Sequence, residues 1–282
     1  MPRTIHVAHS PDSDDAFMFY ALAEGKIPTG NLRYVHELAD IETLNQRALR
    51  GELEVSAVSI HAYAYFADRY ALLASGASMG DGYGPRLVAR TPPKSPADPR
   101  TALRGRRVGV PGLRTSAYLA LRLYQPEVEA VVIPFDRIGA AVESGQVEVG
   151  LLIHEGQLTY ADEGFHLWQD LGAWWLAETG LPLPLGGNVV RRDLGPELMA
   201  QIAGHLRASI EYGLAHRAPA LAHASRFNRG ISAEETDRFV GMYVNEWTVD
   251  YGHRGRAAVR LLLDRAHEAA LVPHRVQVDF VG

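Results

Sequence analysis

Apolar runs, polar turns and helical stretches alternate along this chain in an order that repeats. Residues 5–8 form a short apolar run suited to a strand. The turn Ser10-Pro11-Asp12-Ser13-Asp14-Asp15 follows, rich in side chains that cap helices, and residues 16–23 then read as a buried helix stopped near Gly25. Roughly a hundred residues later the same grammar returns: a strand at 107–110, the turn Pro111-Gly112-Leu113-Arg114-Thr115-Ser116, and a helix at 117–124.

A second echo lies inside the first. Residues 44–50 read as a helix, and Gly51-Glu52-Leu53-Glu54-Val55 leads into the strand Ser56-Ala57-Val58-Ser59. Residues 138–144 read as another, and Gly145-Gln146-Val147-Glu148-Val149 leads into Gly150-Leu151-Leu152-Ile153-His154. Gly51 and Gly145 are 94 residues apart. Each segment has a glycine able to end a helix, a short polar link and an apolar strand buried on both faces. Any αβ unit needs a helix stop and a strand, but two similar α/β lobes is the reading that accounts for the whole echo.

Strands at 87–90 and 186–192 suit crossovers between lobes, and the Pro-rich stretch 92–99 follows the first of them. Beyond Gly195 the pattern is mainly helical, over 196–216, 233–249 and 255–270, and these helices are assigned to the first lobe. The expected architecture is α/β, two-lobed, with a ligand cleft between the lobes. Residues 1–89 open lobe one, 90–188 form an inserted lobe two, and 189–282 complete lobe one.

Composition narrows the function. A chain of 282 residues is long enough for two cores. The net charge of −5, without a dense Lys/Arg stripe, argues against a nucleic-acid partner. The absence of cysteine excludes disulfides, thiolate metal sites and a cysteine nucleophile. No segment approaches the ~20 apolar residues of a membrane span, and the amino terminus lacks the apolar run of a secretion signal. A cytoplasmic protein with a small-molecule ligand is expected, with a homodimer left open.

Ligands of open α/β sheets collect outside the carboxyl ends of the strands. That rule selects the two turns and the strand ends at Ser59 and His154. Of the turns, 111–116 is the better anion site, with Gly112 for close approach, Arg114 for charge, Thr115 and Ser116 as hydroxyl donors, and a helix start behind them. The first turn, with three Asp in four positions, would repel an anion and suits capping or hydroxyl contacts. No Gly-x-Ser-x-Gly elbow surrounds Ser59, so it reads as a hydrogen-bonding hydroxyl. His154 leaves a buried strand at a cleft position and suits general-base catalysis; a histidine satisfied by a backbone carbonyl is the plainer alternative. His61, at the corresponding turn of the other lobe, is its rival. His9 near Asp12, Asp14 and Asp15 lacks a metal-ligand spacing, and Trp174 and Trp175 read as packing or as a hydrophobic wall.

The stretches Gly150-Leu151-Leu152-Ile153-His154-Glu155, Asp170-Leu171-Gly172-Ala173-Trp174-Trp175, residues 178–186 and Arg191-Arg192-Asp193-Leu194-Gly195 resemble the 1,4-dihydroxy-6-naphthoate synthase family of the futalosine route to menaquinone. Phe17-Met18-Phe19-Tyr20-Ala21-Leu22, Glu42-Thr43-Leu44-Asn45 and Tyr243-Val244-Asn245 extend the likeness along nearly the whole chain. The resemblance implies a fold like type II periplasmic binding proteins. It implies a lyase that converts cyclic dehypoxanthine futalosine to 1,4-dihydroxy-6-naphthoate, releasing a ribose-derived fragment, with no metal or redox cofactor required. It makes His154 the proton acceptor and places substrate contacts at Ala57, Val58 and Ser59 and at the pair Ser116 and Ala117. Where the family's opening turn often reads Ser-Pro-Cys-Pro-Asn-Asp-Thr-Phe, this chain lacks the Cys, Pro and Asn and adds negative charge. A solute-binding protein for a small carboxylate and the sister chorismate dehydratase share the fold and remain the alternatives.

Overall fold

The structure is a computed structural model that describes residues 2–93, 98–227 and 230–282. Positions 94–97 of the Pro-rich stretch lie outside the described residues. The chain opens with β1 (Arg3–His9), α1 (Ser13–Ala23), β2 (Leu32–Leu38), α2 (Ile41–Arg50), β3 (Val55–Ser59), the one-turn α3 (Ile60–Tyr63), β4 (Tyr70–Leu73) and β5 (Ser78–Gly80). It continues through β6 (Arg86–Ala89), α4 (Pro99–Ala102), β7 (Arg107–Val110), α5 (Ser116–Tyr124), β8 (Glu129–Val132), α6 (Ile138–Glu143), β9 (Val149–Leu152), α7 (Gly156–Thr159), β10 (His166–Asp170) and α8 (Leu171–Thr179). It closes with β11 (Leu183–Arg191), α9 (Pro196–Ala215), α10 (Arg217–Ala224), α11 (Ala233–Tyr243), α12 (Glu246–Val249), α13 (Gly252–Glu268) and β12 (Phe280–Val281).

Two sheets carry the strands. The first runs β12-β4-β11-β3-β1-β2, with β5 on β11, and the second β10-β6-β9-β7-β8. In each, three strands are parallel (β2-β1-β3 and β8-β7-β9) and an antiparallel strand lies beside the third, β11 on β3 and β6 on β9. The echo in the sequence is therefore a repeat of sheet order. Strands β3 and β9 are buried throughout, as their unbroken apolar runs require of strands covered on both faces. Gly51 and Gly145 end the preceding helices in the left-handed region, at φ +72° and +75°, where a side chain would be strained.

Sheet membership moves the crossings. β6 pairs in the second sheet and β11 in the first, so the chain crosses within 81–85 and returns within 171–182, ahead of the boundaries at 89/90 and 188/189. The reason is that the crossover strands are themselves the antiparallel members of the sheets they enter, Arg86 opposite Leu152 and Gly186 opposite Ser59. The two crossings touch through backbone. A Cβ on Gly172 would lie 1.8 Å from the Tyr83 carbonyl oxygen, so only glycine fits there.

Helices α9, α10 and α11 cover α1 and the outer face of the first sheet. Contrary to the assignment of 255–270 to one lobe, α13 packs on both β11 and α5. Its Val259, Leu262 and Leu263 share one core with Val110, Leu119 and Leu121 of the second lobe. Each such burial is worth about 1.5–3 kcal/mol, so α13 stiffens the junction. The stretch 233–249 is two helices rather than one: Val244 is extended, and Asn245 caps α12 by accepting from Trp247 N. No described helix is long and apolar enough to cross a membrane.

Candidate functional site

A cleft lies between the lobes. The structure brings Ala57, Val58, Ser59, Thr115, Ser116, Ala117 and His154 together on its walls. They meet because the β3 end, the β7–α5 turn and the β9 end are all carboxyl-terminal strand positions facing one crevice.

His154 is not the last residue of its strand. β9 ends at Leu152 and α7 begins at Gly156, so the chain must reverse within a few residues. His154 makes that reversal with φ +54°, a left-handed conformation that costs a non-glycine residue roughly 1–2 kcal/mol. Its ring meets Phe135 edge-on, with centroids 4.9 Å apart. Its Nδ1 lies 3.1 Å from Asp12 Oδ2 of the opposite lobe, the imidazole being 18% exposed and the carboxyl 2%. With the Gln157 amide oriented so that Nε2 donates to Gly84 O (2.7 Å), its Oε1 accepts from His154 N (3.2 Å).

The Asp-rich turn thus has a use that its capping pattern concealed. Asp12 precedes α1 but makes no side-chain cap bond; its Oδ2 accepts from Ser10 Oγ and faces His154. Asp15 accepts from Ser10 N at 2.7 Å. Burial, then the Asp12 charge, pushes the Asp15 carboxyl up to about 7. Burial and the neighbouring Asp15, Asp12 and Glu155 likewise raise Asp14 well above the carboxylate range.

Across the cleft the 111–116 turn differs from its sequence reading. Thr115 Oγ1 caps α5 by accepting from Tyr118 N (3.2 Å) and donates to Gly112 O (2.9 Å). Ser116 Oγ donates to Leu185 O (2.5 Å) and accepts from His61 N (3.2 Å). Both hydroxyls are thus occupied by the fold, and what the turn offers a ligand is the backbone N–H of Ser116 and Ala117 at the start of a nine-residue helix. Arg114 does not line the cleft; its guanidinium lies over the Tyr65 ring at 3.7 Å. The space beside Gly112 is filled by the Glu42 carboxyl, 2.4 Å from where a Cβ would sit, rather than left for a ligand.

Ser59 is locked by the fully buried Asn45, whose Oδ1 accepts from Ser59 N (2.9 Å) and whose Nδ2 donates to Ser59 Oγ (3.1 Å). The serine's own proton remains available to the cleft. His61 stays out of the cleft, its Nδ1 against Thr115 O (3.2 Å), and burial pulls it down to about 4. Trp175 is buried with Nε1 donating to Pro182 O, and neither adjacent tryptophan reaches the cleft, so both are packing.

Sequence reasoning gave no role to Asn188, Gln157 or Tyr243, which also line the cleft. Asn188 Nδ2 donates to Gly76 O (3.1 Å), while its buried Oδ1 has no hydrogen-bond partner. A polar residue inside the apolar strand 183–191 was the one signal available for it. Tyr243 ends α11 and bonds Gln157 at 2.7 Å; burial raises its hydroxyl.

Two parallel-sheet lobes, paired antiparallel return strands and a cleft at the strand ends define the class of type II periplasmic-binding-protein-like folds. The alkanesulfonate-binding protein SsuA of Xanthomonas axonopodis pv. citri, bound to MOPS, shares that fold at a TM-score of 0.70 and 14% identity, covering 98% of this chain and 96% of its own. Within the class, a family described as menaquinone biosynthesis matches residues 5–268, and the chain belongs to it. A 1,4-dihydroxy-6-naphthoate synthase of Thermus thermophilus is 41% identical over 95% of this chain and 96% of its own length. A crystal structure of an Archaeoglobus fulgidus protein superposes with a TM-score of 0.90 at 44% identity, over 95% of this chain and 98% of that one.

Proposed function

We propose that this chain is a carbon–carbon lyase that converts cyclic dehypoxanthine futalosine to 1,4-dihydroxy-6-naphthoate, with His154 as general base. Its membership of the menaquinone-biosynthesis family and its 41% identity to a named synthase support the reaction. The observation that carries the site is the His154 imidazole in the cleft with a carboxylate behind it.

Removing a proton beside an oxygen function and breaking a C–C bond calls for a base, donors for the developing oxyanion and exclusion of water. His154 supplies the base. The N–H groups of Ser116 and Ala117 receive the substrate carboxylate, since a helix start favours negative charge. The Ser59 hydroxyl, on a strand end fixed by Asn45, and the backbone of Ala57 and Val58 contact the substrate from the other lobe. Thr115 acts by shaping the helix start rather than by its hydroxyl.

Incubation with cyclic dehypoxanthine futalosine, followed by mass spectrometry for the naphthoate, tests the reading. Conversion is expected. Binding without conversion would leave a solute-binding protein, and conversion of chorismate instead would make it the sister dehydratase.

A further inference from the structure

We propose that Asp12 is the positioning residue of His154: it holds the imidazole in the Nδ1–H tautomer, with Nε2 turned to the cleft as the nitrogen that accepts the proton. The inference rests on His154 being the base and adds what orients it.

The geometry argues by elimination. A neutral imidazole has one donor and one acceptor nitrogen, and an ionised carboxylate only accepts. The nitrogen that faces Asp12 Oδ2, at 3.1 Å, is Nδ1. A lone pair on Nδ1 would face that carboxyl oxygen at ion-pair distance, whereas an N–H there is attracted to it, so the proton is assigned to Nδ1 and the lone pair to Nε2. Asp12 is itself fixed: it is buried, its Oδ2 also accepts from Ser10 Oγ, and it forgoes the cap bond its place before α1 would allow. The ring is held from its other sides by Phe135 and through the Gln157 contact to its backbone. When a substrate proton passes to Nε2, Nδ1–H stays in place and the imidazolium forms beside the Asp12 side chain.

Two consequences follow. Asp12 belongs to the β1–α1 turn and His154 to the β9–α7 connection, so the pair exists only when the two lobes stand as they do here. And the residue stands where the resembled family's opening turn carries Cys, a weak acceptor that cannot hold a tautomer in the same way. The departure of this turn from the family pattern thus supplies a partner for the base.

The test combines kinetics with 15N NMR of histidine-labelled protein. In Asp12→Asn and Asp12→Ala, kcat is expected to fall at least about 10²-fold, the low end of what a positioned general base contributes, with KM within about threefold because the lost contact is to the base and acts on the chemical step. The wild-type His154 spectrum is expected to show Nδ1 protonated, and Asp12→Ala to shift the population toward Nε2–H. Turnover of Asp12→Ala within about threefold of wild type overturns the proposal. So does a wild-type spectrum with the proton on Nε2, a measurement that needs neither a folded variant nor substrate. Failure of the wild type to form the naphthoate would instead count against the lyase reading, with the tautomer measurement still deciding the role of Asp12.

Discussion

His61 and His154 stand just past the ends of equivalent strands, and each reaches across to the turn that opens a helix of the other lobe, α5 or α1. His61 meets Thr115 O and Ser116 Oγ, and His154 meets Asp12 Oδ2. The partners differ, and so do the outcomes. His61 faces a backbone carbonyl in a dry contact, 3% exposed, and burial pulls it down to about 4, so it is a neutral latch between lobes. His154 faces a carboxylate and opens on the cleft, which suits a ring that must gain and lose a proton. A repeated frame places the same residue type twice; the partner and access to the cleft decide which copy does chemistry.

The comparison breaks most sharply at His154. His154→Ala is expected to lower kcat by about 10²–10⁴-fold, the range general bases contribute, with naphthoate affinity and melting temperature close to wild type. Near-normal turnover by the folded variant would remove His154 from the mechanism. His61→Ala should behave in the opposite way. It loses about 2 kcal/mol of stability to the cavity and the lost bond to Thr115 O, which keeps Leu119 N as its other partner, read by urea unfolding, while kcat of the folded fraction holds. That stability difference also has a pH signature. A histidine whose folded value is lowered from 6.5 to about 4 stabilises fully above the unfolded value and loses its contribution as pH falls between the two. The gap between wild type and His61→Ala should therefore narrow from pH 6.5 toward pH 4.

The two turns differ in the same sense, and two smaller effects sharpen that contrast. Asp15 has a folded value raised from 3.8 to about 7, so its contribution is complete below the unfolded value and is lost as pH rises through 7. Asp15→Asn should thus raise the melting temperature at pH 8 and leave it nearly unchanged at pH 4; an equal shift at both would contradict the charge repulsion among Asp12, Asp14 and Asp15. Ser116→Ala removes the bonds to Leu185 O and from His61 N but keeps the backbone N–H. A loss of about 1 kcal/mol is expected, with KM unchanged within twofold; a large rise in KM would return the hydroxyl to the substrate.

Much of this protein was legible in one dimension because it depends on local grammar. Glycine stops at 51 and 145 and the doubly buried strands read at 56–59 and 150–154 follow from periodicity and point to the two-lobed class, while α1 starts at Ser13, inside the stretch read as a turn, and α5 at Ser116, one residue ahead of its reading. The strand-end rule likewise assigns Ser59 and His154 to one crevice. What one dimension could not decide was partnership. Three aspartates in the opening turn read as helix caps, because capping is the short-range use of such residues. Only the approach of the second lobe, 142 positions along the chain, made Asp12 the neighbour of His154. In the same way Thr115 and Ser116 read as ligand hydroxyls until Gly112, His61 and Leu185 occupied them. The physical reason is common to both: a hydrogen-bonding group is claimed by whatever polar atom lies within ~3 Å, and across a cleft that atom comes from a distant part of the chain.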